Sequence, residues 1–319
     1  MNEDTRHIIQ QINHVELENE HDDGDWKIVS RPIDLAGVQN IRDMGGIPTR
    51  DGRTIRPGML ARSANLHKAT DADLEALDRL GVRTVIDLRT KQERSLEEDR
   101  LLPGWCYEAL PVFDEMEELG KQLTGIVKDP GTFIAAIYPQ MLESPDAIAC
   151  WKACFNELLD GDGGTLWHCT QGKDRTGGLA ALILAALDVD DTLIVDDYLE
   201  TNRFMPRISS KLTRKVEAIL GARADGDINQ FLIAAPAYIH AFMHVAAPYG
   251  GLVGFLREKV GLDDAAFARL RARYTEPSDT RGVARSSDDS SNCAIAQPRA
   301  QTCCNGRQQH TTCNQGWQS

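Results

Sequence analysis

The run "TLWHCTQGKDRTGGLAALILAALD", residues 165–188, limits the fold more than any other stretch of this chain. "TLWHC" is short, apolar and strand-like, and residues 175–187 form a strongly apolar helical pattern. Between them lies a polar turn with a cysteine, a lysine, an aspartate and an arginine. An apolar strand feeding an apolar helix implies that both are buried, and that the turn sits at a helix N-terminus.

The flanking pattern fits an α/β domain. "GMLARSA" (58–64), "VRTVIDLR" (82–89) and "CYEALPV" (106–112) read as strands. "TDADLEALDRLG" reads as a helix with Thr70 as N-cap and Gly81 just past its end. Helical patterns follow near 114–126, 131–143, 146–159, 190–204, 207–220, 236–247, 250–258 and 263–273. Strands alternating with helices predict a central, mainly parallel sheet flanked by helices. The helix-rich stretches 114–143 and 207–245 exceed what such a core needs, and are expected to form a cap or lid. Residues 1–25 are read as an acidic, flexible lead-in and 26–275 as one catalytic domain. Residues 276–319, rich in Ser, Gln, Asn and Thr, are expected to be disordered.

Charge excludes some functions. The net charge is -13, and residues 1–30 hold eight acids against Arg6 and Lys27. Broad binding to nucleic acid or to an anionic membrane needs the opposite field. No apolar run is long enough to span a bilayer. The start "MNEDTRHIIQQ" lacks the cationic and apolar regions of a secretion leader. The eight cysteines form no disulfide framework, so the expected compartment is the reducing cytoplasm; secretion by another route stays open. Cys150 with Cys154 and His240 with His244 share helix faces, but neither pair has a third ligand nearby in sequence. No metal and no cofactor are expected.

The turn itself suggests a chemistry. Unpaired backbone N–H groups at a helix start favour an anion, and five residues between Cys169 and Arg175 suffice to curl round one tetrahedral group. Thr170, Gln171, Gly172, Lys173, Asp174, Arg175 and Thr176 therefore form the expected phosphate-binding set. Gly172 lets the backbone approach closely. The same field favours a thiolate, which is the nucleophilic form of cysteine. Arg175 offers a planar fork for two phosphoryl oxygens. Thr176 is placed to donate to the cysteine sulfur, and His168 to orient the loop. Chance occurrence of H-C-x-x-G-x-x-R-[ST] in such a chain is on the order of 10⁻⁴. A Walker loop is excluded, because "GKD" is not "GK[ST]".

"HCTQGKDRTG" resembles the signature of the atypical bacterial and fungal tyrosine and dual-specificity phosphatases. "NIRDMGG" (40–46), "IRPGMLARSANL" (55–66), "VIDLRTKQE" (85–93), "DYLETN" (197–202) and "YGGLVGFLRE" (249–258) are similar to further motifs of that family, in order over about residues 33–275. The resemblance implies a cysteine phosphatase-like fold and metal-free hydrolysis of phosphate monoesters through a phosphocysteine. Cys169 would attack phosphorus and Arg175 would clamp the equatorial oxygens. The proton for the leaving oxygen would come from Asp114, with Asp174 as second candidate or as the group that positions water. A helix N-cap is the structural alternative for Asp114. Lys173 would add a cation over the pocket, extending the substrates from phosphotyrosine proteins to phosphoinositides, or would be a solvated partner of Asp174. Arg42 with Asp43, and Asp87 with Arg89, are expected as ion pairs that support the loop. A catalytically silent phosphate-binding module is the reading from a different class.

Overall fold

The computed structural model describes residues 29–113, 130–204 and 233–278. Two short strands, β1 (Arg31–Pro32) and β2 (Arg42–Asp43), lead into β3 (Arg53–Ile55) and β4 (Leu60–Ser63). Helix α1 (Asp71–Leu80) follows, closed at both ends by its own sequence. Thr70 accepts from the Asp73 amide while Asp73 accepts from the Thr70 amide, and Gly81 ends the helix at φ 111°. Then come β5 (Val82–Asp87), α2 (Lys91–Leu96) and β6 (Cys106–Ala109). Helices α3 (Pro130–Glu143) and α4 (Pro145–Asp160) precede β7 (Gly164–His168). The chain continues as α5 (Asp174–Ala186), α6 (Asp191–Phe204), α7 (Pro236–Val245) and α8 (Leu252–Phe255), the last running into one π turn at Leu256–Val260. It closes with α9 (Asp264–Tyr274) and β8 (Thr275–Pro277).

Six strands form one sheet in the order β1-β2-β4-β7-β5-β6. The pairs β4–β7, β7–β5 and β5–β6 are parallel, while β1–β2 and β2–β4 are antiparallel. Alternation along the strands divides the core in two. Ala61, Val85 and Leu166 face one apolar cluster with Leu74 and Leu77 of α1. Leu60, Ile86 and Trp167 face the other, with α4, α5 and α7. Helix α5 is buried from Arg175 to Ala186, as an almost wholly apolar helix must be. Filling Trp167's place with alanine would cost about 3–5 kcal/mol.

The register sets the position of the site. Ser63 and Asp87 both pair with His168, so the C-terminal ends of β4, β7 and β5 lie side by side. The loops that leave these ends form a crevice where parallel sheets bind ligands.

Two expectations change. The described parts of the helix-rich stretches, α3 and α7, are not set apart as a cap. Tyr138, Met141, Leu142, Tyr238, Ile239 and Phe242 are buried in the main core. Their apolar faces leave them no other stable place. The remainder, 114–129 and 205–232, lies outside the described residues, as do the lead-in and nearly all of the tail. The tail's expected start is also displaced. Thr275–Pro277 form a strand against Arg53–Ile55, and Arg53 bonds to the Thr275 hydroxyl and carbonyl at 2.7 and 2.9 Å. Among the described residues no helix is long and apolar enough to cross a membrane.

Candidate active site

Cys169 directly follows β7 and is 3% exposed. The loop after it is shaped by its carbonyl groups. Asn40 Nδ2 donates to the carbonyls of Gln171 and Gly172 at 3.0 and 2.9 Å. Arg62 Nη2 donates to those of Gly172 and Lys173 at 2.9 and 3.4 Å, and the Asn65 amide to that of Thr170 at 3.3 Å. In a trans peptide the N–H opposes its C=O. Carbonyls drawn outward thus turn the following amides inward, which makes a nest for an anion. Gly172 has φ +71°, and a Cβ there would meet the Ser63 carbonyl oxygen at 2.4 Å. Only glycine fits this approach.

A buried charge network holds those supports. Arg62 and Arg42 are both fully buried, and Asp197 of α6 pairs with each. Arg42 Nη1 also fixes Asn40 Oδ1 at 2.6 Å, so the residue that grips the loop is itself gripped. The expected Arg42–Asp43 pair is absent. Neighbours on a strand point to opposite faces, and Asp43 instead accepts from the amides of Gly45 and Gly58 at 2.9 and 3.0 Å. Burial raises its pKa.

Arg175 is met by a residue with no role assigned from sequence. Glu93 of α2 takes its Nη1 and Nη2 at 2.7 Å each. The same carboxylate accepts from Thr170 Oγ1 at 2.5 Å and from the Thr90 amide at 2.9 Å. Burial opposes its ionisation, but Arg175's hydrogen bonds and charge prevail and bring Glu93 down to about 2. Burial likewise opposes the Arg175 charge, yet Glu93 and Cys169 together push its pKa up.

Next to Cys169, His168 is fully buried, with Nδ1 3.2 Å from the Cys169 carbonyl and Nε2 3.2 Å from Asp99 Oδ2. Asp87 pairs with Arg89 at 2.8 Å, as expected, and Arg89 also bonds to Asp99. Although burial opposes it, the charges of His168 and Arg89 hold Asp87 well below the usual carboxylate range. Asp87, Asp99 and His168 lie close enough to share a metal, but the Arg89 guanidinium already sits on both carboxylates. Cys106 and Glu108 of the edge strand β6 and Glu157 of α4 form a second such group.

Lys173 pairs with Asp174, as one of the two readings had it, but it is fully buried instead of solvated. Its Nζ donates to the Ile233 carbonyl at 3.0 Å, lies 3.5 Å from Asp174 Oδ1, and sits 5.9 Å from the centre of the Tyr238 ring. Asp174, the first residue of α5, is 40% exposed and accepts a hydrogen bond from the Tyr138 hydroxyl. Thr176 Oγ1 is buried and has no hydrogen-bond partner among the described residues, so the expected bond to Cys169 is not made here. The Thr176 carbonyl accepts from Trp167 Nε1 at 3.1 Å.

The sequence profile described as the tyrosine phosphatase family matches residues 33–276. The chain belongs to the tyrosine phosphatase family. A Cupriavidus necator protein classed as a tyrosine-protein phosphatase is 33% identical over 241 residues, covering 74% of this chain and 86% of that protein. The triple specificity protein phosphatase PtpB of Mycobacterium tuberculosis is 26% identical over 275 residues, covering 75% and 97%. A tyrosine-protein phosphatase of Nostoc commune is 28% identical over 225 residues, covering 66% and 72%. The protein is thus a phosphatase, of a family that works through a phosphocysteine.

For a tyrosine phosphatase the crevice is coherent. Cys169, the nest and the arginine fork converge at the strand ends, the nest held by the buried Asn40 and Arg62 and the fork by Glu93. Asp114, the expected proton donor, lies outside the described residues. The chain leading to it runs beside β5, with the Val112 amide 3.4 Å from the Leu88 carbonyl. Glu93 carried a signal that went unused. It closes the "TKQE" capping box of α2, and a residue that caps a helix beside the loop is fixed well enough to hold an arginine. Cys150 and Cys154 are buried thiols with sulfurs 3.9 Å apart, packed in the core. His240 and His244 line an open surface cleft of about 390 Å³ with Asp191.

Proposed function

We propose that the enzyme hydrolyses phosphotyrosine in proteins, with Cys169 as nucleophile. The Cys169 sulfur attacks phosphorus as the P–O bond to tyrosine breaks. The inward amides of residues 171–174 and the remaining donors of Arg175 hold the phosphoryl oxygens. A guanidinium has five donors, and Glu93 takes two at 2.7 Å each. The Leu88 carbonyl and Thr170 Oγ1 hold two more only loosely, at 3.5 and 3.4 Å, so Nε and these loosely held N–H groups can turn to a phosphoryl group. The leaving oxygen takes a proton from a general acid, for which Asp114 remains our candidate. Water then cleaves the P–S bond and restores the thiolate. The observation that carries this reading is the Glu93-locked Arg175 fork beside Cys169, with the loop carbonyls drawn outward.

Phosphoinositides are the second reading. The Mycobacterium tuberculosis relative is named for triple specificity, which supports a range wider than phosphotyrosine. The burial of Lys173 weighs against that residue as the reader of a second phosphate. The net charge of -13 weighs against nucleic acid as a partner. Four described cysteines are free, including the adjacent Cys150 and Cys154, which supports a reducing, cytoplasmic setting. The test is phosphate release from phosphotyrosine peptides and from phosphoinositide vesicles by wild type and Cys169→Ser. Peptide turnover lost in the variant supports the proposal. Turnover of lipid alone would replace it with the second reading, and no turnover of either would leave a silent phosphate-binding module.

A further inference from the structure

Asp174 is bound from behind by a line of hydroxyl groups. Tyr138 of α3 is fully buried, and its hydroxyl touches both Asp174 Oδ1 and the hydroxyl of Tyr198 on α6. Each phenol has one proton to give and lone pairs to accept, so several arrangements are open. A protonated Asp174 can donate toward Tyr138 or keep its proton on Oδ2, whereas a carboxylate accepts from Tyr138, which in turn accepts from Tyr198. Two neighbours decide. The buried Lys173 ammonium lies 3.5 Å from the same Oδ1, and Asp174 begins α5, where the helix dipole favours an anion. The line therefore runs from Tyr198 through Tyr138 to a carboxylate. Burial and the Asp174 charge raise both phenols well above their ordinary range, so they stay donors.

We infer that Tyr138 and Tyr198 are positioning residues that hold the Asp174 carboxylate oriented for the second half of the reaction, hydrolysis of the phosphocysteine. An ionised Asp174 cannot protonate the leaving oxygen. It can accept a proton from water. Oδ1 is taken by Tyr138 and Lys173, while the side chain is 40% exposed, so a solvent-facing oxygen remains to receive it. The water oxygen bonds to phosphorus, the P–S electron pair returns to Cys169 as thiolate, and the water proton passes to Asp174 and then to solvent. This rests on the phosphocysteine reading proposed above. It removes Asp174 from the candidates for general acid and gives it the other role.

The test separates the two half-reactions by rapid mixing with p-nitrophenyl phosphate, using the full chain. In wild type, the nitrophenol burst reports formation of the phosphoenzyme and the steady rate its breakdown. Tyr138→Phe keeps the ring against Tyr198 and Tyr238 and removes only the donor. Its breakdown rate should fall about tenfold, the weight of one hydrogen bond to a charged group, with the burst rate within about twofold. Acid-quenched phosphoenzyme should accumulate. Asp174→Asn should show the same pattern, and the double variant should be no slower than Asp174→Asn alone. Tyr198→Phe should give a smaller loss in the same step, and serves if Tyr138→Phe does not fold. Equal slowing of burst and breakdown, or additive losses in the double variant, would overturn the inference. Failure of wild type to form any phosphoenzyme would instead overturn the proposed function.

Discussion

Glu93 holds the guanidinium of Arg175 in two hydrogen bonds of 2.7 Å, and the same carboxylate ties down Thr170 at the start of the loop. One residue on a six-residue helix thereby fixes both ends of the phosphate nest. Glu93→Gln should keep the shape of the side chain and lose the charge. The expected result is a fall in kcat/KM of at least about tenfold, measured with an aryl phosphate, through a loosened Arg175.

The same pair predicts a pH dependence of stability. Glu93 has its pKa depressed from 4.5 to about 2 in the folded protein. Its contribution is therefore complete above pH 4.5 and is lost as pH falls through about 2. With Glu93 28% exposed, roughly 2 kcal/mol is expected. Urea denaturation of wild type and Glu93→Gln should differ by that amount at pH 6 and converge near pH 2. A constant difference across this range would remove the assignment.

Arg62 joins the loop to α6. Arg62→Met should strand the carbonyls of Gly172 and Lys173 and leave Asp197 with one cation fewer. Breaking such a buried pair costs about 3 kcal/mol. Binding of orthovanadate should weaken more than about tenfold, since amides no longer held inward lose their aim. Unfolding curves and vanadate titration check the two effects separately.

Gly172→Ala is expected to be worse than its size suggests. The residue needs φ +71°, and the new methyl would lie 2.4 Å from the Ser63 carbonyl oxygen on β4. Neither backbone can give way without moving the crevice. Loss of activity beyond about 10²-fold with lowered thermal stability is predicted. Wild-type kcat in that variant would contradict the loop geometry.

Much of this was legible locally. The capping box at Thr70, the αL glycine at 81 and the strand–loop–helix of 164–186 each depend on residues within a few positions. The partners of the site do not. Arg42 meets Asp197 across 155 residues of sequence, and Arg175 meets Glu93 across 82. Adjacency in the chain suggested Asp43 for Arg42, yet a strand sends neighbours to opposite faces. Lys173 reads as a surface residue because lysine usually is one. The carbonyl of Ile233 and the carboxylate of Asp174 help to make its burial tolerable.

That burial carries a prediction about substrate. With Nζ turned to Ile233, Lys173→Ala should lower turnover of an aryl phosphate and of a phosphoinositide by the same factor, within about threefold. A much larger loss on the lipid would show that Lys173 reads a second phosphate after all.

The central claim is a covalent bond between Cys169 and phosphorus. Acid quenching during turnover, followed by mass spectrometry of the peptide that carries "HCTQGK", tests it most directly. One phosphoryl group on Cys169, absent from Cys169→Ser, is the predicted result. Undiminished phosphate release by Cys169→Ser, or a phosphoryl group on another residue, would contradict it.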